Sequence, residues 1–88
     1  MIVREVEVTN KAGLHMRPAA QIVQTAGKYD SQITLEKDCR KANAKSIMDV
    51  VAMGIKKGTV ITIRAEGDDE KEAVDALVNL IMGNFDEE

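Results

Sequence analysis

Cysteine occurs once in this chain, as Cys39, so neither an internal disulfide nor a metal site built from several thiols can form. Proline and histidine also occur once each, as Pro18 and His15, and tryptophan is absent. Aromatic residues amount to 2%, Tyr29 and Phe85 alone, so the core has to come from Ile, Val, Leu, Met and Ala. No apolar run approaches the ~20 residues that span a bilayer, which excludes membrane insertion. The opening MIVREVEV carries acids where an export signal needs a long apolar stretch, and a cytoplasmic protein is expected. An excess of positive charge is missing too. With 12 Lys and Arg against 15 Asp and Glu the net charge is −3, the wrong sign for a nucleic-acid binder. What remains is an 88-residue chain, 44% hydrophobic, long enough for one globular domain over residues 1–88 and too short for two.

Alternation of apolar and polar residues marks strands at 2–8, around Ile33 and Leu35, and again at Ile61, Ile63 and Ala65. Lys37-Asp38-Cys39 forms a hairpin tip leading to a short strand through Ala42 and Ala44. Ala19, Ala20, Ile22, Val23 and Ala26 recur at helical spacing over 16–26, with Pro18 near the start and Gly27 as the stop. A short helix over 46–53 ends at Gly54, and Ala73, Val74, Leu77, Val78 and Ile81 stripe a last helix. The acidic tail Asp86-Glu87-Glu88 is expected to fray. The order β-α-β-β-α-β-α predicts an α+β open-faced β-sandwich: a four-stranded antiparallel sheet with three helices on one face.

His15 stands just before the first helix, where free N–H groups and the positive end of the helix dipole create an anion site. Arg17 adds a planar, permanently charged group suited to phosphate oxygens. The same surroundings disfavour imidazolium, leaving a neutral nucleophile beside an anion cradle, the equipment for accepting a phosphoryl group. The alternative is that His15 merely caps the helix and Arg17 is a solvated charge; both readings stand on these residues. A metal site finds no support, since no second histidine exists and no thiol or carboxylate lies at ligand spacing.

The stretch GLHMRPAA, followed by KSIMDVVAMGIKKG and ITIRAEG, resembles the HPr family across essentially the whole chain. These are the phosphocarriers of the bacterial phosphoenolpyruvate-dependent sugar phosphotransferase system. The resemblance implies that His15 receives a phosphoryl group from enzyme I on Nδ1 and passes it to IIA domains of sugar permeases. Arg17 would assist both transfers, no cofactor or metal would be bound, and the protein would act as a monomer and a covalent relay rather than a free-standing enzyme. Met16, Ala20, Ile47, Met48 and Val51 would form the partner-binding patch, with Val50 and Met53 anchoring the second helix.

Ser46 fits the N-cap of that helix, and Asp49 completes a Ser-x-x-acid capping signature. In HPr relatives a serine here is the target of an ATP-dependent serine kinase/phosphorylase, so Ser46 is also a regulatory phosphoserine position. Asp49, where relatives carry a small or basic residue, adds a charge that a phosphoserine would feel unfavourably. Gln24 and Gly27 replace lysines of enteric relatives, reducing the basic rim around His15 to Arg17, Lys28 and Lys45. These departures motivate an alternative: a regulatory HPr-like protein that docks to kinases or transcription factors without sugar transport. Cys39 is assigned no role.

Overall fold

The computed structural model describes residues 1–86. Its strands are β1 (Ile2–Glu7), β2 (Gln32–Lys37), β3 (Arg40–Asn43) and β4 (Val60–Glu66), and its helices α1 (Met16–Ala26), α2 (Ile47–Ala52) and α3 (Glu70–Met82). A 3-10 turn, Asn84–Asp86, follows α3. The strands form one antiparallel sheet in the order β1-β4-β2-β3. The register sets Val6 opposite Ile61, and Ile33 and Leu35 opposite Ala65 and Ile63, so these side chains share one face and are buried. The helices cover that face. α1 buries Pro18, Ala19, Ile22 and Ala26, and α3 buries Ala73, Val74, Leu77 and Ile81, while the six-residue α2 buries Val50. The other face is wet, and there Arg64 pairs with Glu36. The expected α+β open-faced sandwich is the observed fold.

Two expectations change at the edges of the core. Phe85 belongs to the core, 2% exposed, whereas four of the five methionines (Met1, Met16, Met48 and Met82) are more than half exposed. Asn84 and Phe85 both take φ values near +55° (55° and 56°), which turns the chain back and swings the ring inward. Thr9 Oγ1 to Asn84 Oδ1 and Gln21 Nε2 to Phe85 O fasten the turn to the loop before α1 and to α1 itself. Burying such a ring contributes roughly 1.5–3 kcal/mol. The capping box at Ser46 is also only half made. Ser46 Oγ accepts the Asp49 N–H at 3.4 Å, but the Ser46 N–H goes to Asn43 O at 3.0 Å and the Asp49 carboxylate accepts from Asn43 N–H at 3.4 Å. Of the tail expected to fray, Asp86 closes the 3-10 turn, and Glu87 and Glu88 lie outside the described residues.

The start of α3 is tied to the start of β2. The Asp69 carboxylate accepts the N–H groups of Asp30 at 2.8 Å and Ser31 at 2.9 Å, and the Ser31 hydroxyl as well. These bonds, the Ser31 hydroxyl first, hold the Asp69 carboxyl below the ordinary carboxylate range.

Candidate functional site

The loop between β1 and α1 is built to present one side chain. Asn10, 2% exposed, donates from Nδ2 to Gly13 O at 2.9 Å, and the Gly13 N–H returns to Asn10 O at 3.2 Å. Gly13 has φ +66°, and a β-carbon there would collide with the carbonyl of Ile55 and lie 2.9 Å from Lys56 Cα. Only glycine tolerates both. Leu14 is buried, and its N–H donates to Ile55 O at 2.9 Å. With Leu14 and Pro18 held inward on either side, His15 is left exposed.

His15 occupies the N-cap of α1 through its backbone, extended at φ −89° and ψ −160°, and its carbonyl accepts the Ala19 N–H at 2.9 Å. Its imidazole makes no capping bond. No acid lies in the first turn of α1, so the positive end of the helix dipole is not neutralised there. Arg17 is exposed, and its side chain makes no hydrogen bond or ion pair among the described residues. The imidazole therefore does no capping, and the guanidinium has no structural partner among the described residues. A ring nitrogen, first-turn N–H groups and a guanidinium thus stand at one helix start, an arrangement able to take up an anion.

α2 packs beside α1. On it Met48 is 68% exposed, and on α1 Met16 is 58% exposed, while Ile47, Val51 and Ala20 are partly buried. Val50 and Met53 are the buried anchors, as expected. The expected basic rim, by contrast, is not where the sequence reading put it. Lys45 Nζ donates to Tyr29 O at 2.7 Å, beyond the C-terminal end of α1. Lys28 also follows that end, which lies about 17 Å along the helix from His15 at 1.5 Å per residue. Of the three cations expected around His15, Arg17 alone is beside it. Lys56, which the sequence reading passed over, has its backbone against Gly13. Nothing local in the sequence links the two; only the docking of the 54–59 loop on the His15 loop does.

A family model described as the PTS HPr component phosphorylation site matches residues 2–82. The chain belongs to the HPr family. It is 47% identical to the phosphocarrier protein HPr of Treponema pallidum over 88 residues, covering all of both chains. It is also 47% identical to the HPr-like protein Crh of Bacillus subtilis over 82 residues, 93% of this chain and 96% of that one. Among solved structures, HPr-C-His from Thermoanaerobacter tengcongensis superposes with a TM-score of 0.97 at 55% identity, covering 100% of this chain and 99% of that one. An HPr dimer from the same organism matches with a TM-score of 0.80 at 56% identity, over 93% and 94% of the two chains. Both HPr and Crh branches thus stand close to this HPr-family chain. Among its described residues no helix is long and apolar enough to cross a membrane.

Proposed function

We propose that this protein is a cytoplasmic phosphocarrier that accepts a phosphoryl group from enzyme I on His15 and donates it to IIA domains of sugar permeases. The observation that carries this reading is the exposed His15 imidazole at a helix N-cap, making no capping bond, with the Arg17 side chain, unpaired among the described residues, two residues on. The Nδ1 lone pair attacks phosphorus as the bond to the donor breaks; on delivery an acceptor nucleophile attacks phosphorus and the N–P bond breaks, returning the electron pair to Nδ1. Catalysis of such a transfer is mostly positioning and charge stabilisation. Arg17 and the first-turn N–H groups supply both for the three oxygens. Met16, Ala20, Ile47, Met48 and Val51 form the docking patch, where exposed, pliable Met16 and Met48 suit several partners in turn.

Ser46 is the regulatory position in this reading. A phosphate there adds roughly two negative charges beside the docking patch and repels acidic partners. The working form is a monomer, although a related structure is a dimer. A purely regulatory role, with docking and no transfer, leaves the free imidazole beside Arg17 without a purpose.

The deciding experiment is incubation with enzyme I and labelled phosphoenolpyruvate, for wild type and His15→Ala. Acid-labile label on wild type and none on His15→Ala is the expected result. Label retained in the variant, or surviving mild acid, places the phosphate elsewhere.

A further inference from the structure

Although the chain carries a net charge of −3, one surface of it is basic. The tip of the β2–β3 hairpin and the 54–59 loop face each other across an open cleft of about 650 Å³, whose lining includes Lys37, Arg40, Lys56 and Thr59. Lys57 is the next residue along the same loop, and Asp38 is the one acid in the lining. The side chains of Lys37, Lys56 and Lys57 make no hydrogen bond or ion pair among the described residues, and Arg40 gives one N–H to Met53 O at 3.4 Å. Like charges gathered without partners repel one another, and a ligand of opposite sign relieves that repulsion.

The form of the cleft points to a protein partner. It is wide and open, and Arg40, Lys56 and Lys57 are exposed, so a small anion would stay hydrated and gain little from them. An acidic protein surface meets all of them at once. The cleft also adjoins the site already described: Lys56 touches Gly13, two residues before His15, and Met53 in the lining follows directly on α2. Meanwhile Lys28 and Lys45 lie at the far end of α1, with Gln24 and Gly27 uncharged between. Steering charge is therefore concentrated on the hairpin side of His15.

We propose that this cleft is a docking surface for an acidic segment of the protein that passes the phosphoryl group to His15. The inference rests on the phosphocarrier reading. It is tested by Lys37→Glu/Lys56→Glu in the full chain, against the charge-matched control Arg4→Glu/Lys71→Glu at two exposed positions away from the cleft. Enzyme I-dependent phosphorylation of His15 is followed over a range of carrier concentrations, at low ionic strength and at about 0.3 M salt. The cleft variant should show a KM raised about tenfold at low salt with kcat unchanged, the gap closing as salt rises. The control should stay within about twofold of wild type, as distant rim charges do. Equal KM values in cleft and control variants overturn this proposal alone, whereas no label on wild-type His15 overturns the phosphocarrier reading with it. Backbone amide shifts at 37–40 and 56–57 on adding enzyme I support the surface. Shifts there with inorganic phosphate but not with enzyme I assign the cleft to a small anion and overturn it.

Discussion

Arg17 keeps its guanidinium in water with no partner among the described residues, two positions after His15 and inside the first turn of α1. A side chain that contributes no bond to the fold can be altered without unfolding it, which makes Arg17→Lys a clean probe. Lysine keeps the charge and loses the two-pronged donor geometry that matches phosphoryl oxygens. Phosphoryl transfer should slow by about severalfold to a hundredfold, on the scale of losing one placed donor at a developing charge. Thermal unfolding should be unchanged. Rates equal to wild type would make Arg17 a solvated charge. The placement of His15 and Arg17 was legible in the sequence because it depends on a helix start and on neighbours a few residues away. Lys45 and Lys56 were not, because one is claimed by the carbonyl of Tyr29 and the other is brought to Gly13 by a separate loop.

α2 is six residues long and buries Val50 from within its span, so little of its surface is claimed by the core. Asp49 stands on that face, exposed, and its carboxylate reaches the Asn43 N–H at 3.4 Å rather than the backbone of Ser46. Asp49→Lys removes a long hydrogen bond and a favourable charge at a helix start, costing roughly 0.5–1 kcal/mol. It also removes repulsion towards an acidic partner. Transfer to a IIA domain should therefore accelerate at low salt through faster association, the gain fading as the Debye length shortens to ~8 Å. Rates measured at two ionic strengths decide this; equal rates at low salt leave Asp49 a local brace and nothing more. The helix itself was readable from Ser46 to Gly54. The partner chosen by Asp49 was not, since a Ser-x-x-acid pattern fits both a closed box and the observed link to β3.

Among the described residues, three carboxylates hold separate parts together and all ionise more readily than usual. Asp69 does so through the Ser31 hydroxyl and the Asp30 N–H, Glu70 through the Met1 amine at 3.0 Å and the Gly67 N–H at 3.1 Å, and Glu36 through Arg64. Their folded pKa values lie below the unfolded ones, so the unfolded chain takes up protons first as pH falls. The stability they contribute is present above the usual carboxylate range near ~4 and is lost as pH drops through the lower folded values. The urea midpoint should thus hold steady from about pH 7 to 5 and decline below ~4. In Asp69→Asn it should start lower at neutral pH and decline less steeply in acid. An acid slope identical to wild type would remove Asp69 from this role. The architecture was legible because each strand alternates and each long helix carries a stripe, and both signals are local. The 3-10 turn was not, since Phe85 reaches the core through two left-handed residues that no periodicity announces.

The seam between Gly13-Leu14 and Ile55-Lys56 has a consequence in time. During synthesis the histidine leaves the ribosome early, complete with glycine before it and Arg-Pro after it. The carbonyl that receives the Leu14 N–H belongs to Ile55 and emerges much later. Until then the motif exists as letters without a geometry, and a nascent chain carries the histidine with nothing to hold it at its helix. On the phosphocarrier reading, phosphoryl chemistry would begin only when the second half of the molecule closes on the first. The placement of His15 is thus the product of finished folding, and an unfinished chain would have no share in a relay.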